Sequence, residues 1–217
     1  MNELTLIQLK TEVRDFVHEF SAMPIALLYG VTDGKAVGTY VEQAFHKYLL
    51  DRYSYLSGSS ASGIDLPGLD IDIKATSFRQ PQSSCPFRNA SQKVYGLGYH
   101  LLVFVYEKID EQQLRAAQLS FRHVVFVERE RTGDYQTTYG LREILRRNGN
   151  KDDIVAFLEE RNLPLDEIGR EALADQILRR PPEIGYLTVS NALQWRLQYS
   201  RAIGVAGRTE GVEDLLE

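Results

Sequence analysis

Residues 99–107, YHLLVFVYE, are apolar at nearly every position, and this run constrains the fold more than any other stretch of the chain. A strand on a half-solvated sheet alternates apolar and polar side chains, so a strand apolar on both sides needs cover on both faces. HVVFVE at 123–128 has the same character. Elements to supply cover are legible upstream. Leu6, Leu9, Val13, Phe16, Val17 and Phe20 recur at helical spacing until Met23-Pro24 stops them. After the N-capping side chains of Thr32-Asp33-Gly34, a second stripe of Val37, Val41, Ala44, Phe45, Tyr48 and Leu49 runs to about Tyr53. The patterns predict two strands around residues 63–77, a strand at 99–106, a short helix over DEQQLRAAQ (110–118) and a strand at 122–127. From Tyr139 to Arg180 the spacing is all helical, and a last helix starts near Ser190 and carries NALQWRLQYSRAI. The fold class is α/β, a central mixed sheet flanked by helices. Residues 1–138 form its core, and 139–217 form a helical region with the C-terminal helix, packed on the core as one domain.

The 217 residues are 43% apolar and 25% charged, enough for a substantial core. No apolar run approaches the ~18 residues a bilayer demands, and MNELTLIQLK lacks the layout of a signal peptide, so the expected location is the cytoplasm. One cysteine, Cys85, excludes an internal disulfide and a multi-cysteine zinc site. Any metal used would be a hard ion held by oxygen. The net charge of −5 announces no polyanionic partner, although an acidic metal site lowers net charge while local basic patches remain.

Against this background GIDLPGLDIDIKATS, residues 63–77, poses a problem. Strand alternation points Asp70, Asp72 and Lys74 one way and Leu69, Ile71 and Ile73 the other. A solvated outer face is the plain explanation for such a pattern. Here the neighbouring strands are covered on both sides, which puts this one near the sheet centre, where unpaired carboxylates are costly. A divalent cation bound by two carboxylates would compensate. Asp65, across the Leu66-Pro67-Gly68 turn, supplies the second because the turn folds its flanks side by side.

Asp65, a six-residue gap and then Asp72-Ile73-Lys74 resembles the PD-(D/E)XK motif of the restriction-endonuclease-like nucleases. The short gap with Pro and Gly, followed by an acidic-x-Lys-x-Thr strand, is most similar to the mismatch-repair nicking endonuclease and its restriction-enzyme relatives. Glu42, in GTYVEQAFHKYLL, matches the glutamate that many members carry on the helix before the hairpin. The resemblance covers residues 37–106 and departs from the commoner pattern in having Asp rather than Glu before x-Lys. It implies a restriction-endonuclease-like core and an Mg²⁺-dependent type II restriction endonuclease that hydrolyses double-stranded DNA at a specific sequence. Asp65, Asp72 and Glu42 would hold the metal, and Lys74 would orient the attacking water or offset charge. It further implies a homodimer and a cognate DNA methyltransferase as genetic partner. A repair or nicking nuclease is the alternative activity, and a catalytically silent DNA-binding module the alternative class. The intact Asp, Asp and Lys argue against silence.

The loop after the acidic strand, SFRQPQSSCPFRNASQKVYGLG, gathers Arg79, Gln80, Gln82, Ser83, Ser84, Arg88 and Lys93, side chains of the kinds that read base edges or grip phosphate. An ordinary polar surface loop accounts for them equally well. Asn191, Gln194 and Arg196 of the C-terminal segment offer a second DNA-facing set, with a solvated basic face as the matching alternative. Cys85, His46 and His100 read as packing residues. Leu141, Ile144, Leu145, Ile154, Phe157 and Leu158 fit either a dimer interface or packing within the fold.

Overall fold

In the computed structural model, which describes residues 2–58, 63–189 and 196–217, the elements follow in chain order. They are β1 (Asn2–Glu3), α1 (Leu6–Ser21), α2 (Gly34–Leu50), β2 (Tyr53–Ser54), β3 (Ile71–Ser77), β4 (Gln82–Ser84), α3 (Ala90–Tyr95), β5 (His100–Glu111) and β6 (Ala116–Val127). Then come α4 (Tyr135–Arg146), α5 (Lys151–Glu160), α6 (Glu167–Arg179), β7 (Thr188–Val189), β8 (Arg196–Gln198), α7 (Ser200–Val205) and β9 (Val212–Asp214). They divide between two compact units. One holds Met1–Ser83, His100–Val127 and Ile203–Glu217, the other Ser84–Tyr99 and Glu128–Ala202.

The first unit is built on a four-stranded mixed sheet of order β3-β5-β6-β9. Strand β3 runs parallel to β5, with Asp72 opposite Leu101 and Lys74 opposite Val103. The β5–β6 and β6–β9 pairs are antiparallel. Helix α1 starts on a capping box, in which Thr5 and Gln8 satisfy each other's amides, and α2 starts on the Asp33 carboxylate. Their apolar stripes bury Phe16, Phe20, Phe45 and Tyr48 against Leu102, Phe104, Phe121, Ile71 and Ile73. The rings interlock, with Phe16 and Phe45 centroids 4.9 Å apart and Phe45 and Phe104 centroids 5.0 Å apart. The alternate residues Leu101, Val103, Val105, Val125 and Val127 are buried as well, as the continuous apolar runs require. Among the described residues no helix is long and apolar enough to cross a membrane.

The second unit gathers α3, α4, α5 and α6 around Ala90, Val94, Leu141, Ile154, Leu158, Leu173 and Ile177. Ile144, Leu145 and Phe157 are partly buried against the same cluster, so the apolar positions offered as an interface pack inside their own unit.

Several sequence expectations are corrected. Residues 110–118 form no helix, although Glu, Gln, Leu, Arg and Ala favour one. Asp110 and Glu111 instead pair with Ala117 and Ala116, and a turn at Gln112–Arg115 closes a long β5–β6 hairpin, with Arg115 at φ 48. Cross-strand pairing outweighs local propensity there. The segment before Pro67 is no strand but makes a single bridge, Leu66 to Ile71. Asp70 sits in a left-handed conformation outside β3, so it does not share the face of Asp72 and Lys74. Strand β3 lies at the end of its sheet, not near the centre. Of the helix expected from Ser190, residues 190–195 lie outside the described residues, Arg196–Gln198 is a strand paired with Thr188–Val189, and Ser200–Val205 is helical.

Helix α2 approaches β3 through Gly38, where a Cβ would lie 2.9 Å from the Ala75 carbonyl oxygen. Overpacking costs about 1–3 kcal/mol and exceeds the ~1 kcal/mol that Ala gains over Gly in a helix, because the obstructing atom is backbone. Gly38→Ala is therefore expected to lower the midpoint of denaturant unfolding. An unchanged or raised midpoint would show that α2 is free to move away from the sheet.

Candidate catalytic centre

Strand β3 has no strand on its outer side among the described residues, yet the amides along that side are not orphaned. The Ile71 N–H donates to the Leu66 carbonyl at 3.2 Å, the Ile73 N–H to Asp65 Oδ2 at 2.7 Å and the Ala75 N–H to Glu42 Oε1 at 3.2 Å. Alternate amides of an edge strand point the same way, and here each finds an oxygen. The edge thus brings two acidic side chains, one from the segment before the turn and one from α2, to successive positions beside Asp72 and Lys74. The Pro67–Leu69 turn and the Leu66–Ile71 bridge set the return of the chain that lets Asp65 reach Ile73.

Asp72 is buried, 4% exposed, on the face of β3 opposite Ile71 and Ile73. Lys74 on that face places Nζ 2.8 Å from each Asp72 carboxylate oxygen and donates to the Ile73 carbonyl at 3.0 Å. Burial, reinforced by the bond to Asp65 and its charge and only partly opposed by Lys74, pushes the Asp72 carboxyl up to about 7. Burial acts on Asp65 too, but the facing His46, bonds from Asp72 and the Ile73 amide, and the charge of Lys74 hold it well below the usual carboxylate range. The two carboxyls are in hydrogen-bond contact and titrate as a pair, in which a proton is held more tightly by Asp72 than by Asp65. Burial also raises Glu42 against the pull of Lys74 and the Ala75 amide.

Of the four residues singled out at the centre, Asp65, Asp72 and Lys74 meet directly. Glu42 stands beside them, turned to the Ala75 amide. His46, read from sequence as a packing residue, belongs here instead. Its Nε2 lies 3.8 Å from Asp65 Oδ1 and its Nδ1 is 3.1 Å from the Tyr55 hydroxyl. One signal for it was available, since Glu42 and His46 are four apart and share a helix face. Tyr55 had none.

The donor set suits a hard cation. It consists of carboxylate and carbonyl oxygens, with one buried and one half-buried acid side by side and the Lys74 ammonium against the buried one. Among the described residues no three Asp, Glu, His or Cys side chains gather closely enough to enclose an ion by themselves. Two carboxylates would leave most of a hard cation's coordination shell to water.

The residues offered for DNA contact are scattered. Arg79 and Gln80 are exposed just beyond β3, and the Gln82 N–H donates to Thr76 Oγ1 at 2.9 Å, which ties this loop back to the strand carrying Asp72. Ser83 is half-buried in β4 and ends the first unit. Ser84, Arg88 and Arg196 are exposed in the second unit. Lys93 is 4% exposed, with burial pulling its pKa down against the opposing charge of Asp134, and is not a surface side chain. Asn191 and Gln194 lie outside the described residues.

A family profile described as "Type II restriction enzyme NspV" matches residues 3–214. A curated protein of Nostoc sp. (strain ATCC 29411 / PCC 7524), "Type II restriction enzyme NspV", is 57% identical over 212 residues, spanning 98% of this chain and 96% of the relative. No solved structure matches.

The raised Asp72 has a consequence for stability. Up to about pH 4 both folded and unfolded chains hold its proton. Between about 4 and 7 only the folded chain does, so this group makes stability fall as pH rises through that window, and above it the burial penalty is complete. Metal-free Asp72→Asn is therefore expected to melt above the wild type at pH 8, with the gap narrowing toward pH 4. Equal melting temperatures at pH 8 would show that Asp72 carries no electrostatic strain.

Proposed function

The chain belongs to the NspV family of type II restriction enzymes, and on that footing we propose that it cuts DNA by metal-assisted phosphodiester hydrolysis at Asp65, Asp72 and Lys74. As a sequence-specific restriction endonuclease it is a hydrolase of double-stranded DNA. The observation that supports the site is the contact of half-buried Asp65 with buried Asp72, whose carboxylate Lys74 meets at 2.8 Å. The same arrangement favours membership of the PD-(D/E)XK superfamily.

Asp65 and Asp72 would hold the ion, for which Mg²⁺ is the fitting choice, with Glu42 the outer acidic member. When bound, Mg²⁺ supplies positive charge against the phosphoryl oxygens and polarises water. Asp72 would hold the ion as the ionised carboxylate. Lys74, on the same face of β3, would direct its N–H groups to the attacking water and the phosphate, so it would position and offset charge. Arg79, Gln80, Gln82, Ser83, Ser84, Arg88 and Arg196 would contact DNA, arginine at phosphate and the amides at base edges. A cognate methyltransferase would protect the host's own sites.

Asp65→Ala, Asp72→Ala and Lys74→Ala are each expected to slow cleavage of long duplex DNA in Mg²⁺ by about 100-fold or more while retaining the fold by circular dichroism. Wild-type cleavage by any of the three would overturn the assignment, and Glu42→Ala is expected to lose less.

One centre cuts one strand, so a double-strand break calls for two centres related by a two-fold axis. Sedimentation is expected to show two chain masses with cognate DNA. A single chain mass with and without DNA, giving nicked circles, would replace the dimer with a monomeric nickase.

A further inference from the structure

Asp65 is gripped from both sides, and only one grip comes from its own strand edge. The Ile73 amide holds Oδ2, whereas Oδ1 faces His46, a residue from α2 whose ring is itself held from behind. Tyr55 holds it. The tyrosine hydroxyl lies 3.1 Å from His46 Nδ1 and 3.1 Å from the His46 backbone carbonyl, so it fixes ring and backbone of one residue together. Burial and the charge of Asp65 push the Tyr55 hydroxyl up to about 12, which keeps it protonated.

That hydroxyl has one hydrogen for two partners. Given to Nδ1, it leaves the neutral imidazole with its proton on Nε2, facing Asp65. Given to the carbonyl, it obliges Nδ1–H to donate to the hydroxyl oxygen, and a neutral ring would then aim a lone pair at an ionised carboxylate. The attractive arrangements are those with N–H on Nε2. At 3.8 Å the contact is longer than a direct hydrogen bond, and it is electrostatic in character. The Ile73 amide and His46 thereby hold the two Asp65 oxygens from opposite sides, and lone-pair capacity remains for a cation.

We infer that His46, oriented by Tyr55, is a positioning residue that holds Asp65 in the rotamer that accepts the metal. The inference rests on the metal-centre reading above. It makes Glu42 and His46, one helical turn apart, a single face of α2 devoted to the centre. Partners one step out from metal ligands commonly change metal affinity 10- to 100-fold when removed.

The test reads metal binding without DNA, on the full chain, by titration calorimetry with Mn²⁺ alone. His46→Leu is expected to weaken Mn²⁺ binding about 10-fold or more. His46→Gln, which returns an N–H near the Nε2 position, should restore most of it, and Tyr55→Phe should fall between. Asp72→Ala serves as the reference. If it loses binding while folded His46→Leu and Tyr55→Phe both bind as the wild type does, the positioning role is overturned and the metal centre stands. If Asp72→Ala binds normally, the metal centre itself fails. Should His46→Leu not fold, the pair His46→Gln and Tyr55→Phe decides, since equal wild-type affinity in both overturns the role. Reduced DNA binding in metal-free buffer by His46→Leu, with Mn²⁺ affinity unchanged, would also overturn it and make His46 a DNA contact.

Discussion

The outer edge of β3 is the constraint on which the centre depends. An edge strand leaves alternate amides without a strand to receive them, and such an edge is both a lost set of hydrogen bonds and an invitation to pair with another chain. In this protein the vacancy is filled by oxygen atoms, one carbonyl and two carboxylates. The spacing of amides along the strand therefore becomes the spacing of Asp65 and Glu42, and two acids distant in sequence are aligned by the regular repeat of a backbone. The same hydrogen bonds that finish the fold present the acidic groups.

Asp72 meets a different constraint. It is carried on β3 itself and is only 4% exposed, so solvent stabilises its charge poorly. The structure answers with a raised proton affinity, in contact with Asp65, and with the ammonium of Lys74. Neither answer is as favourable as solvation in water, so the centre is a place where folding accepts an electrostatic penalty for chemistry. Lys74 stands where positive charge is needed, which makes its place against Asp72 a sign of what the pair is built to bind.

Helix α2 links these features. Its inner stripe, Val37, Val41, Phe45 and Leu49, is set into the sheet core. Gly38 lets it approach the Ala75 backbone, and that closeness is what allows Glu42 to reach the Ala75 amide. His46 on the next turn then lies beside Asp65. Burial of an apolar stripe worth about 25 cal/mol per Å² holds the helix whose polar margin carries Glu42 and His46.

What the sequence determined was whatever local pattern decides: helices α1 and α2 from their stripes and caps, β5 and β6 as strands covered on both faces, and Asp72 and Lys74 on one face by strand alternation. The Asp65-x6-Asp72-x-Lys74 spacing likewise singled out residues that meet in space, because a turn of few residues leaves little freedom in how its ends return. Other features were decided by tertiary pairing. Residues 110–118 carry good helix formers, yet they extend a hairpin, because ladder hydrogen bonds with a partner strand outweigh tenths of a kcal/mol per residue. The place of β3 at the sheet edge and the pairing of Val212–Asp214 with β6 depend on strand order, which periodicity does not encode. Lys93 reads as a surface cation and is buried, and Tyr55, ordinary in sequence, orients His46. A side chain's environment is made by elements far along the chain, so composition and spacing name the chemistry available, and only the packed structure decides which groups face one another.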